Sequence, residues 1–95
     1  MSLKFEWDPR KAASNFSKHR VAFEEGLTVF ADHLARIFDD EDHSVEEQRE
    51  IIVGYSSKER LLIVCFTAQA DSVRIFSARK ATRRERKEYE ENIES

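Results

Sequence analysis

The sequence predicts an α+β fold: an antiparallel, twisted sheet with two N-terminal helices on one face and a charged C-terminal helix. Residues 49–79 hold three strand-like runs joined by short polar links, and short links imply antiparallel neighbours. Before them come apolar residues at helical spacing, and after them a charged segment opens with a helix-capping signature. A chain of 95 residues has room for one domain, expected to span residues 1–95, and for one modest core.

Composition narrows the class. Apolar residues make up 40% and charged residues 37%, with a net charge of −3, too apolar for disorder and too mixed in sign for a nucleic-acid-coating tail. No hydrophobic signal core opens the chain and no apolar run approaches membrane-spanning length, so a cytoplasmic protein with no membrane partner is expected. The single cysteine, Cys65, lies inside Leu61-Leu62-Ile63-Val64-Cys65-Phe66 and is expected to be a small buried hydrophobe.

Leu3, Phe5 and Trp7 alternate with Lys4 and Glu6, the period of a strand with one buried face. Asp8-Pro9 then supplies an N-cap and the residue best suited to the first helical position, predicting a helix from Pro9 to His19 with Ala12, Ala13 and Phe16 inward. Phe23, Leu27 and Phe30 share a face of a second helix, which Asp32-His33 closes. Gly26 weakens that helix by about 1 kcal/mol relative to alanine unless close packing requires it. Leu34–Phe38 reads as a short strand, and Asp39-Asp40-Glu41-Asp42-His43-Ser44 as a solvated acidic loop. Adjacent carboxylates without EF-hand spacing do not converge on a cation, and His19, His33 and His43 are too dispersed for zinc, so no metal and no cofactor are expected.

Arg49–Tyr55, Arg60–Thr67 and Ser72–Arg79 form the meander, with the continuously apolar middle run as its central strand. Arg74 should leave the sheet on the face opposite Val73 and Ile75. Thr82 and Glu85 have capping-box spacing, so a helix follows from Arg83 to about Glu94, with Tyr89 and Ile93 as its apolar pair.

At the strand-to-helix junction Arg79, Lys80, Arg83, Arg84, Arg86 and Lys87 place six of the sixteen Lys and Arg within nine positions. A local positive field on an acidic chain points to a polyanion. The chain also resembles the BrnT family of bacterial type II toxins. That resemblance runs through Phe5-Glu6-Trp7-Asp8, Asn15, Lys18-His19, Val21-Ala22-Phe23-Glu24-Glu25 and Val29-Phe30-Ala31-Asp32, then Glu47, Arg49, Gly54, the run from Arg74 to Ala81, Glu85, Arg86 and Tyr89. Arg20 stands where a glycine is expected, and Gly26 where a small helix former is usual. The resemblance implies a RelE-like fold and a metal-independent endoribonuclease that inhibits translation. It also implies neutralisation by a BrnA-like DNA-binding antitoxin, with a toxin dimer among the assemblies such a complex allows.

Metal-free RNA cleavage needs a base, cations for the phosphate charge and an acid for the leaving oxygen. Arg74 and Arg79 are assigned to the phosphate, with Ser77 as a hydroxyl donor between them. Strict alternation gives the two arginines opposite faces, so a shared site requires the strand to bend or end before Arg79. His19 carries the side chain that titrates near neutral pH, and Glu47 is the carboxylate alternative. Against these stand a helix-end role for His19 and a Glu47–Arg49 ion pair. Lys18, Arg49, Lys80, Arg83, Arg84 and Lys87 are assigned to RNA binding, the alternative for the last four being a solvated helix face. A non-catalytic nucleic-acid- or protein-binding module is the competing reading.

Overall fold

A computed structural model describes residues 3–40 and 48–94, with side chains up to residue 92. In chain order come β1 (Lys4–Glu6), α1 (Pro9–His19), α2 (Phe23–Leu27) running into a 3-10 turn (Thr28–Ala31), β2 (Arg36–Asp39), β3 (Glu50–Tyr55), β4 (Leu61–Gln69), β5 (Ser72–Lys80) and α3 (Arg83–Glu94). The five strands lie in the order β1-β5-β4-β3-β2. β2 through β5 pair antiparallel, but β1 runs parallel to β5, with Phe5 opposite Val73. The sheet is therefore mixed, and the all-antiparallel expectation fails at the first strand. Alternation reads the same in either direction, and no short link ties β1 to its partner.

Asp8 Oδ1 accepts the Arg10 amide at 2.9 Å, so α1 starts where the Asp-Pro pair indicates. It stops at Arg20, which takes the left-handed conformation (φ 58°, ψ 32°) and returns its amide to the Phe16 carbonyl at 2.8 Å. A glycine enters that conformation without penalty, which is why Arg20 stands out in the pattern. The inward face differs from expectation: Ala12 packs on the core, Phe16 is 46% exposed, and the buried residue of α1 is Asn15. Beyond the end of β1 the outer edge of β5 has no strand partner among the described residues, and the Asn15 amide takes that role. Its Oδ1 accepts the Ala78 amide at 3.2 Å, while Nδ2 donates to the Ala78 carbonyl at 2.7 Å and the Val21 carbonyl at 3.0 Å.

One core lies between the helices and a sheet face, joining Val21, Phe23 and Val29 to Ile52, Leu62, Val64, Phe66, Ile75 and Ala78. α2 approaches closely enough that a β-carbon on Gly26 would sit 3.3 Å from Ala78 Cβ, so packing does explain that glycine. A smaller cluster of Val53, Leu61, Ile63 and Tyr89 lies on the other face. α3 therefore crosses the second face, with the Tyr89 hydroxyl donating to the Leu34 carbonyl at 3.0 Å. The capping box has both bonds, Glu85 amide to Thr82 Oγ1 at 3.1 Å and Thr82 amide to Glu85 Oε1 at 2.8 Å. β4 is buried from Leu61 to Thr67, as a strand covered on both faces must be, and Cys65 is buried within it. Most of the acidic run, Glu41 to Ser44, lies outside the described residues, as does Glu47. No helix among the described residues is long and apolar enough to cross a membrane.

Candidate active site

β5 carries an irregularity that alternation along the sequence does not reveal. Cys65 pairs with Ser77 and Phe66 with Ile75, leaving Phe76 as an extra residue opposite no partner. Such a β-bulge shifts the side-chain phase by one position. Val73, Ile75 and Ala78 all enter the same core cluster despite the odd interval between the last two. Arg74 before the bulge and Arg79 after it therefore both project from the opposite face. The parity conflict between the two arginines is removed by the bulge, not by an early end to the strand.

The bulged residue is also part of a cleft. Where α1 runs along the free edge of β5, Lys11, Ser14, Lys18 and His19 from the helix face Phe76 and Ser77 from the strand around a hollow of about 240 Å³, with Asn15 at its floor. Lys11 Nζ lies 5.4 Å from the Phe76 ring centroid, and the Arg49 guanidinium carbon lies 4.0 Å from it. A cation at such a distance from an aromatic ring is attracted to its face. Two ammonium groups, an imidazole, hydroxyls and a ring flanked by cations thus converge at one place. This array can hold a phosphate, exchange a proton with a ribose and meet a nucleobase.

The other assigned residues fall elsewhere on β5 and α3. Arg74 lies 3.6 Å from Glu6 in an exposed ion pair, a contact too weak to tie up its guanidinium. Arg79, roughly 15 Å further along the strand at ~3.3 Å per residue, is held differently. Its Nη1 and Nη2 donate to Glu85 Oε1 and Oε2 at 2.8 and 2.9 Å. That fork holds the Glu85 carboxyl down at about 2, first through the Arg79 bond and then through the Thr82 amide, and raises Arg79 further above its ordinary range. Arg84 reaches Glu88 at 3.4 Å as an exposed i,i+4 pair, and Lys80, Arg83 and Lys87 are exposed. The structure thus brings Lys18, His19, Ser77 and Arg49 together around Phe76, places Arg74 and Arg79 on the face beside them, and leaves the α3 cations apart.

The sequence alone gives Lys11, Ser14, Asn15 and Phe76 no role, although Asn15 and Phe76 lie among the residues that carry the family resemblance. Asn15 had one signal, its i+3 spacing from Ala12 on the inward side of α1. Phe76 had another: Val73, Ile75 and Ala78 cannot share a face without an extra residue between them. A second buried polar group, Glu25, is structural. It accepts from Ser56 Oγ at 2.7 Å and Arg60 Nε at 2.9 Å, and the Arg60 bond holds its carboxyl below the usual range. Among the described residues no group of three or more His, Cys, Asp or Glu side chains is arranged to hold a metal ion.

Comparison with known proteins supplies the remaining evidence. The family model described as the ribonuclease toxin BrnT of type II toxin–antitoxin systems matches residues 7–85. No curated protein matches the chain. Among solved structures, the chain is similar to the Brucella abortus ribonuclease toxin BrnT at 1.1 Å, with a TM-score of 0.66 and 20% identity over 86% of this chain and 100% of that one.

Proposed function

Since the chain belongs to the BrnT family of ribonuclease toxins of type II toxin–antitoxin systems, we propose that it is a metal-independent endoribonuclease that cuts RNA at the cleft beside β5. In this reading the sheet is RelE-like and its second face, with the neighbouring edge, is the catalytic surface. The observation that carries the proposal is the convergence of Lys11, Lys18, His19, Phe76 and Ser77 in one hollow.

The chemistry follows from the groups present. His19 takes the proton of a ribose 2′-hydroxyl, and the 2′-oxygen attacks the adjacent phosphorus. Lys18, the Ser77 hydroxyl and the arginines of β5 stabilise the charge growing on the non-bridging oxygens. As the bond to the 5′-oxygen breaks, that oxygen takes a proton from solvent and His19 returns its own to solvent, leaving a 2′,3′-cyclic phosphate and a free 5′-hydroxyl. Phe76 and Arg49 offer flat surfaces for a base, which holds the sugar in line for attack. Loss of intact RNA then halts translation in the cytoplasm. A BrnA-like antitoxin relieves the block by covering the basic surface, with two toxin copies in the assembled complex.

Purified protein should cleave a short labelled RNA in the presence of a chelator. Arg74→Ala and Arg79→Ala should each lower the single-turnover rate at saturating protein by roughly a hundredfold, the loss expected when a charge-stabilising donor is removed. Arg84→Ala or Lys87→Ala should mainly weaken binding. RNA retained without cleavage would favour a binding module, and folded arginine variants with wild-type rates would move the site to Lys18 and His19 alone. Co-expression with a BrnA-like antitoxin should yield a complex inactive on the same RNA, and a complex as active as free toxin would contradict the blocking role.

A further inference from the structure

Glu85 makes more bonds than its cap requires. A capping box needs one carboxylate oxygen on the Thr82 amide, and Oε1 supplies it at 2.8 Å. The carboxylate also receives both Nη groups of Arg79 in a parallel fork. A guanidinium has five N–H donors. Arg79 Nη1 uses two, on Glu85 and on the Lys80 carbonyl at 3.3 Å, and Nη2 uses one on Glu85. Among the described residues, this leaves the Nε hydrogen and the second Nη2 hydrogen, which share one edge of the plane. That edge has the spacing for two oxygens of one phosphate. The Arg79 side chain is 38% exposed, so a ligand can reach it.

We propose that Glu85 is a positioning residue for the ribonuclease reaction, holding the Arg79 guanidinium so that its remaining Nε/Nη2 edge meets the charge that develops on the phosphate. The inference rests on the ribonuclease reading above. An arginine free in solvent loses side-chain freedom when it grips a ligand, whereas one already forked to a carboxylate has lost it on folding. Donors that need no reorientation act on the transition state. The pair also carries no net charge, so it contributes little to the long-range attraction of RNA. Its effect should therefore fall on the rate of cleavage rather than on binding.

Charge and orientation predict opposite signs for Glu85→Gln. Removing a carboxylate near the phosphate site should, on charge alone, tighten RNA binding and speed cleavage. If Glu85 orients Arg79, the single-turnover rate should instead fall by roughly tenfold or more, while an RNA lacking the reactive 2′-hydroxyl binds as well as before or better. Glutamine is accepted at this capping position, so thermal melting should show a folded variant. In an Arg79→Ala background the substitution should have no further effect on rate, as a double-mutant cycle requires. Arg79→Lys, which keeps the ion pair but lacks the second edge, should be nearly as slow as Arg79→Ala, and it tests the idea independently of the cap. A Glu85→Gln rate within twofold of wild type, a faster one, or an equal loss with and without Arg79 overturns the positioning role while an inactive Arg79→Ala leaves the ribonuclease reading standing. If Arg79→Ala cleaves normally, the positioning role falls and the site moves to Lys18 and His19, whereas a wild-type protein that cuts no RNA overturns the ribonuclease reading itself.

Discussion

At Arg20 a β-carbon occupies a left-handed backbone conformation that favours glycine, with φ at 58°. Arg20→Gly should stabilise the protein by about 1 kcal/mol, read as a rise of roughly 4 °C or more in Tm. The guanidinium given up lies only loosely over the exposed Phe16 ring, at 5.8 Å. Gly54 predicts the reverse. A β-carbon there would sit 2.9 Å from both Ala35 Cβ and Asp32 Oδ2, and Asp32 Oδ2 is already bound to the Tyr55 amide at 2.8 Å. Gly54→Ala should destabilise by about 1–3 kcal/mol, seen as a lower denaturant midpoint. Asn15 is more sensitive still. Asn15→Ala leaves the buried Ala78 and Val21 groups without their partners and should cost about 3 kcal/mol or more. Asn15→Asp should also fail, since it turns a carboxylate toward two carbonyls. These sites separate what sequence can and cannot carry. An N-cap such as Asp8 announces itself by local chemistry, whereas the use of Asn15 as a substitute strand depends on where β1 stops.

Local signals were strongest at the ends of helices. Asp8-Pro9 places the start of α1, and Thr82 with Glu85 places the start of α3. The interior of β5 was less legible, because a bulge is defined by the partner strand as much as by its own residues. Without it, Arg74 and Arg79 could not be given a common face. The α3 cap also carries a pH dependence. The carboxyl of Glu85 falls from an ordinary 4.5 to about 2 on folding. Its stabilisation is therefore fully present above the unfolded value and is lost as pH falls through the folded one. Stability should drop on the order of 2 kcal/mol between pH 5 and pH 2 from this group, allowing for partial exposure. Urea titrations across that range should show the drop, and Glu85→Gln should lose this component of it.

Over the whole molecule, a net charge of −3 coexists with a cleft lined by Lys11 and Lys18. Binding should therefore depend on local phosphate contacts, and Lys11→Ala or Lys18→Ala should each lower the salt slope of RNA affinity by about one. The fold class and the meander were legible because short links force antiparallel neighbours. The place of β1 was not, since nothing near it in sequence names β5 as its partner. That parallel pairing, Lys4 to Glu6 against Ser72 to Arg74, has a consequence for synthesis. β1 must wait for β5 to be made before it can dock, and the Asn15 clamp on Ala78 waits with it. Closing so long a loop is slow compared with forming a helix, so refolding should be rate-limited by sheet completion. A ribosome-bound chain that has not yet exposed β5 has no cleft, so a chain stalled after Gln69 should leave RNA uncut. The cleft thus comes into being only once β5 has left the ribosome.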